Sequence, residues 1–259
     1  MVVGFAGSGN MAAALARGWK GASVRPDSML FTDSGSGRAQ ALADELGGER
    51  VGSISEMADR ADLVVLAVKP AGLDAVAGEI AGRTGAVISV LGATPLERLV
   101  PALAPTPVLR TMPNLAVEIG EGVICHAEVP DEQRSGAIGE ALGLLGAIAT
   151  VVEVAENELD PATAVMGCAP AYLALAVEAL IEAGEEAGLD HELSSRLVSE
   201  AAAATGKHLL TRGPGSMQEA IASPGGSTEA GLEALAERQV HDSFKAAVEA
   251  SLERMRGSG

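Results

Sequence analysis

The chain has 259 residues, room for two domains of ordinary size. Hydrophobic residues make up 47% and aromatics only 2%, so its cores must be closely packed Ala, Val, Leu and Ile. A formal charge of -17 argues against nucleic acid and anionic membranes as partners, and any bound anion must rest on backbone N–H groups and helix N-termini rather than on a basic patch.

Residues 2–6 form a short apolar run ended by Gly7, and residues 10–20 have helical spacing. Residues 29–32 read as the next strand and 38–46 as the next helix. Residues 63–68 are continuously aliphatic, the pattern of a strand buried on both faces, and 86–91 repeat it with helical segments before and after. This alternation predicts a parallel sheet with helices on both faces. Residues 108–111, 122–125 and 148–152 extend the sheet, with a helix at 131–145 capped by Asp131.

The character changes near Val154. No strand is expected beyond Glu156; helices are predicted at 169–187, 192–210, 217–222, 229–236 and 241–255, punctuated by Gly213-Pro214-Gly215 and Pro224-Gly225-Gly226. The expected division is therefore 1–154 and 155–259, with Gly257 to Gly259 as a tail. Residues 169–181 carry one charge, Glu178, and are apolar or small on every face. A helix apolar all round must be buried all round. A second copy in a symmetric dimer supplies the missing wall; the alternative is a central helix within one subunit. The uncharged stretch 161–177 is interrupted by Gly167 and Pro170 and is not expected to span a membrane. Cys125 and Cys168 are too few and too far apart for a disulfide framework, and no targeting segment is visible, so a cytoplasmic location is expected.

The string VVGFAGSGNMAAAL is a strand, a glycine turn and a helix. Gly7 permits the turn, Gly9 lets backbone approach a pyrophosphate, and Ala12 keeps the helix close to the strand. This is the pattern of a nicotinamide dinucleotide site, with Gly7, Ser8, Gly9, Asn10 and Met11 as candidate contacts. Asp33, after the second strand, is placed to read the adenine ribose 2′-OH of NAD, whereas Ser34, Ser36 and Arg38 suit the 2′-phosphate of NADP, so the choice stays open. Val68, Lys69 and Pro70 lie at the carboxyl end of the most buried strand, where an open parallel sheet binds its ligand; Lys69 is either a ribose contact or a solvated lysine.

No Ser-His-Asp set, metal cluster or paired carboxylate stands out, and His126, His191, His208 and His241 sit in no motif. That fits hydride chemistry, in which the cofactor carries the reaction and the protein orients the substrate. The string Ser223-Pro224-Gly225-Gly226-Ser227-Thr228 joins two helices. It reads either as a carboxylate cradle of glycine N–H groups or as an ordinary helix cap. Arg110-Thr111-Met112-Pro113-Asn114 follows a strand and either faces the same cleft or is a plain turn.

GFAGSGNMA, AVKP at 67–70, RTMPN at 110–114, ENELDPATAVMGCAPAYLALAVEAL at 156–180 and SPGGST at 223–228 together resemble pyrroline-5-carboxylate reductase, in the family's order and over nearly the whole chain. The resemblance implies a Rossmann domain followed by an all-helical dimerisation domain, an active site shared across the dimer, and in some members rings of dimers. It implies reduction of 1-pyrroline-5-carboxylate to L-proline by NADH or NADPH. Ser223, Gly225, Gly226 and Ser227 would bind the substrate carboxylate, Thr228 would lie near the imine nitrogen, and Asn114 near cofactor or substrate. Met166-Gly167-Cys168-Ala169, Leu115-Ala116 and Leu91-Gly92-Ala93 depart from the family pattern near the cleft. They leave two alternatives: a paralogous reductase of another small imine or carbonyl acid, and a non-catalytic NAD(P)-binding assembly protein.

Overall fold

The structure, a computed structural model, describes residues 1–257; the last two residues of the expected tail lie outside the described residues. Eight strands form one sheet: β1 Val2–Ala6, β2 Ser28–Thr32, β3 Glu49–Arg50, β4 Leu63–Leu66, β5 Ala86–Ser89, β6 Val108–Pro113, β7 Gly122–Ala127 and β8 Ala149–Val154. Their order is β3-β2-β1-β4-β5-β6-β7-β8. The run from β3 to β6 is parallel throughout and has the doubly wound order, which reverses between β1 and β4.

Alternate side chains of the central strands feed two cores. Val65 and Ile88 pack beneath α1 (Asn10–Gly21), α2 (Arg38–Leu46) and α6 (Ala137–Gly146). Val64, Leu66 and Val87 pack beneath α3 (Ile54–Arg60), α4 (Leu73–Ile80) and α5 (Leu96–Leu103). This is why β4 and β5 are apolar at nearly every position: both faces are covered.

Three features differ from the sequence expectation. β7 runs antiparallel to β6, because residues 114–121 are too short a link for a parallel crossover. β8 then pairs parallel to β7 after the α6 crossover. β3 carries no apolar pattern, since both its residues are exposed at the sheet edge. Finally, α6 begins at Ala137 rather than near Asp131; Asp131–Gln133 makes only a 3-10 turn, and Gly136, at φ 67°, breaks the chain before the helix.

The chain forms two compact units. The first is Met1–Cys168 with the chain from Leu252 on, and the second is Ala169–Ser251. Within the first, a short helix α7 (Leu159–Ala162) leads into a π-helical stretch, Thr163–Gly167, where the Cys168 N–H reaches back to the Thr163 carbonyl. The remaining elements are helices, as expected: α8 Ala169–Glu186, α9 His191–Leu209, α10 Pro214–Ile221, α11 Ser227–Glu237 and α12 Val240–Arg256. In the second unit α8 and α9 meet closely because Gly184 has no Cβ; one placed there would stand 2.2 Å from Ser194 Oγ, which donates to the Ile181 carbonyl. Tyr172 Oη donates to the Ala247 carbonyl, tying α8 to α12. Yet no α8 residue is buried within the chain, and Leu173, Leu175 and Leu180 are 62%, 66% and 59% exposed. The helical run Glu156–Glu186 is long and apolar enough to cross a membrane by length and composition.

Candidate dinucleotide site

The glycine turn lies where the strand order reverses, at the carboxyl ends of β1 and β4. Its two glycines do different work. Gly7 has φ 99°, and a Cβ there would meet the Ala67 carbonyl oxygen at 2.7 Å, so Gly7 is required by the approach of β1 to the end of β4. Gly9 has ordinary extended backbone, and a Cβ there would meet no protein atom within 4 Å. Its bareness serves whatever sits above the turn.

Gly9 is also the N-cap of α1, and no side chain caps that end. The first-turn N–H groups have no intrahelical acceptor and point out of the helix, which suits an anion. Ser8 is buried; its hydroxyl donates to the Thr32 carbonyl and anchors the turn to β2. Asn10 is exposed and Met11 half-buried beside it. Val68 and Pro70 are half-buried at the end of β4, while Lys69 is exposed and begins the 3-10 turn Pro70–Gly72. An uncapped helix end with open space above Gly9 therefore fits the pyrophosphate of a dinucleotide.

Asp33 follows β2 as expected, but its carboxylate is spent on its own loop. It accepts from the N–H of Gly35 at 3.0 Å, the hydroxyl of Ser36 at 2.8 Å and the N–H of Ala39 at 3.0 Å. These bonds, the Ala39 N–H foremost and against the opposing effect of partial burial, bring its pKa down to about 2. Asp33 therefore clamps its own loop, and Ser34 and Arg38 stand exposed beside it. A carboxylate depressed below its unfolded value stabilises the fold above that value and loses the effect as pH falls through the folded pKa. Asp33→Asn should thus cost on the order of 1–2 kcal/mol at neutral pH. The deficit should be constant down to about pH 4 and vanish towards pH 2, read as the difference in Tm between the two proteins across that range.

Asn114 is 8% exposed, and both ends of its amide are engaged. Oδ1 accepts from the Val123 N–H at 3.1 Å, and Nδ2 donates to the Met166 carbonyl at 3.4 Å. It joins β6, β7 and the π-helical stretch, a holding role for the end of β6. Leu115 next to it is 53% exposed.

In the second unit, the loop 223–228 corrects a further expectation. Gly225 and Gly226 do not present free N–H groups. The Gly225 N–H donates to Glu229 Oε2 at 2.6 Å, and the Gly226 N–H donates to the Ser223 carbonyl at 2.9 Å. Glu229, at the third position of α11, folds back on the loop that precedes the helix. Gly226 is the N-cap with no side-chain bond, and the first helical bond runs from Ala230 N–H to the Gly226 carbonyl. The open donors at this end are thus the N–H groups of Ser227 and Thr228, both exposed, and of Glu229, half-buried. Among the described residues, no group of three or more His, Cys, Asp or Glu side chains is placed to hold a metal.

Arg110, Glu156 and Asp160 stood in strings the sequence already marked, but their pairing with one another was not expected. Arg110 lies buried in β6 and is bonded to both acids. An arginine in a string otherwise reading as a strand, and acids opening the helical half, were the available signal.

A doubly wound sheet with an uncapped, glycine-lined helix end at its switch point defines a dinucleotide-binding protein of the Rossmann class. Residues 2–92 match the family model described as NADP oxidoreductase, coenzyme F420-dependent, and residues 156–258 match that for pyrroline-5-carboxylate reductase dimerisation. The chain is 34% identical to the pyrroline-5-carboxylate reductase of Thermus thermophilus, covering 98% of this chain and 97% of that protein, and 32% identical to that of Corynebacterium melassecola, covering 96% and 95%. The solved pyrroline carboxylate reductase of Plasmodium falciparum, with NADP bound, matches 100% of this chain and 98% of its own with a TM-score of 0.88 at 27% identity. That of Streptococcus pyogenes matches 99% and 98% with a TM-score of 0.87, also at 27% identity. The chain belongs to the pyrroline-5-carboxylate reductase family.

Proposed function

We propose that this chain reduces the cyclic imine 1-pyrroline-5-carboxylate to L-proline with NADPH or NADH. The observation that carries the reading is the match to reductases of that name over almost the full length of both chains. The bound dinucleotide supplies hydride to the imine carbon. The chain's own residues bind and orient. The α1 N-terminus at Gly9, Asn10 and Met11 holds the pyrophosphate, while Val68, Lys69 and Pro70 border the reactive half. Asp33 shapes the loop that offers Ser34 and Arg38, an arrangement favouring the 2′-phosphate of NADPH. The N–H groups of Ser227 and Thr228 take the substrate carboxylate at the α11 N-terminus. The Thr228 hydroxyl would donate a hydrogen bond to the imine nitrogen, and the proton that nitrogen takes up would come from solvent water.

In this reading the chain divides near residue 155 into a dinucleotide-binding part and a dimerisation part. The apolar surface of α8 packs against a second copy, giving a homodimer or a ring of dimers in the cytoplasm rather than a membrane span.

A spectrophotometric assay with 1-pyrroline-5-carboxylate, run with NADPH and NADH in parallel, tests the activity. Faster turnover of another cyclic imine would favour a paralogous reductase. Cofactor binding with no oxidation beside any imine would leave a non-catalytic assembly protein. Thr228→Ala should lower kcat by about tenfold to a hundredfold with the NADPH Kd unchanged; wild-type turnover would remove Thr228 from the reaction.

A further inference from the structure

β6 carries a charge that its strand pattern does not prepare for. Arg110 is 3% exposed and sits opposite Ser89 at the carboxyl end of β5. Its Nη1 donates to Glu156 Oε1 at 2.6 Å and its Nη2 to Asp160 Oδ1 at 3.0 Å. The same Glu156 oxygen accepts from the Leu96 N–H at 2.9 Å, at the start of α5, which has no side-chain cap of its own. One carboxylate thus joins β6, the first turn of α5 and the segment that follows β8.

Four residues further along β6's path, Asn114 holds the carbonyl of Met166. The β6 strand and its extension therefore grip the segment 156–167 at both ends. Glu156 also closes the loop leaving β5, in which Ala93 is forced to φ 52°. The carboxyl ends of β5 and β6 lie on the side of the switch point away from β2. With the adenosine at the β2 loop, that is the side facing the reactive half of a dinucleotide.

The cluster is not built for stability alone. Arg110 Nε and Glu156 Oε2 are buried with no hydrogen-bond partner, a cost that an apolar packing would avoid. What a planar guanidinium adds is geometry, since two fixed Nη atoms hold two acids at set positions and a lysine ammonium cannot.

We propose that Arg110, Glu156 and Asp160 are positioning residues for hydride transfer, an ionic staple with a buried guanidinium and two partly exposed acids that sets the β5–α5 loop and Asn114 against the reactive half of the dinucleotide. The proposal rests on the reductase reading given above, and its test includes a readout that needs no imine. Arg110→Lys and Asp160→Asn are made in the full chain. Each is measured for Tm, for NADPH Kd, for the fluorescence of bound NADPH, and for kcat and KM with 1-pyrroline-5-carboxylate. The isotope effect on kcat/KM with NADPH deuterated at the transferred position is also measured.

Arg110→Lys should bind NADPH as the wild type does. Its bound-NADPH fluorescence should change, its kcat should fall roughly tenfold to a hundredfold, and its isotope effect should rise. Glu156→Gln keeps an acceptor oxygen towards Arg110 and Leu96 and should restore most of the loss that Glu156→Ala shows. Should Arg110→Lys fail to fold, Asp160→Asn and the Glu156 pair decide on the same criteria. Unchanged fluorescence and kcat in the folded variants would overturn the staple. So would losses of kcat and NADPH affinity that only follow the folded fraction. A wild type that binds NADPH but leaves the imine untouched would overturn the reductase reading instead, and the fluorescence comparison would still decide the staple.

Discussion

Gly9→Ala should leave the protein folded and cripple its cofactor site. The backbone at Gly9 is at φ -79° and ψ -175°, a conformation open to any residue, and an added methyl meets no protein atom within 4 Å. The loss of a glycine's unfolded-state freedom and the slightly poorer cap nearly cancel, so the change in stability should be within about 0.5 kcal/mol. The methyl instead occupies the space above the α1 N-terminus, and NADPH Kd should rise by about tenfold to a hundredfold, roughly 1.4–2.8 kcal/mol. Gly7→Ala is the contrast. Its φ of 99° and the Ala67 oxygen at 2.7 Å force the turn itself to move, at a cost of about 1–3 kcal/mol or more. Thermal unfolding and NADPH titration of the two variants separate the roles. Wild-type affinity in Gly9→Ala would mean that the pyrophosphate does not lie over this turn.

The second large effect is expected at Leu173. This side chain is 62% exposed within the chain and lines a groove of about 800 Å³ on α8 and α9 together with Val177 and Ile181. Burying one such side chain stabilises an interface by about 1.5–3 kcal/mol, and a two-fold axis counts it twice. Leu173→Glu removes that gain and adds a charge beside Glu178, Glu182 and Glu185, which line the same groove. The variant should sediment as a monomer at micromolar concentrations at which the wild type is expected to self-associate. A variant that keeps the wild-type mass would place the self-association surface elsewhere.

The candidate site was legible in unequal measure. The glycine turn was visible because its requirement is local: strand, turn and helix are consecutive, and each glycine's role follows from its position. The donors of the loop 223–228 were not, because Glu229 captures the Gly225 N–H and so shifts the open donors to the first turn of α11, from Ser227 to Glu229. Asp33 was rightly placed at the end of β2, but its loop bends back on it, and three donors within six residues take up its oxygens. The partners of Asn114 and Arg110 were not legible, for a different reason. They stand far along the chain, at Val123 and Met166 and at Glu156 and Asp160.

The sequence by itself determined the alternation of the first half, the five helices from Ala169 onward and the position of the dinucleotide turn. Those features arise from periodicity and from glycine's freedom, which act over one turn or one strand. The tertiary structure alone decided that β7 turns antiparallel, that β3 closes the far edge, and which carboxylates and amides are spent on the protein itself. Those choices depend on which groups meet once the sheet has formed. A buried arginine or amide takes whatever acceptors the packed neighbours bring to it, because leaving it unpaired there costs more than any local preference can offset.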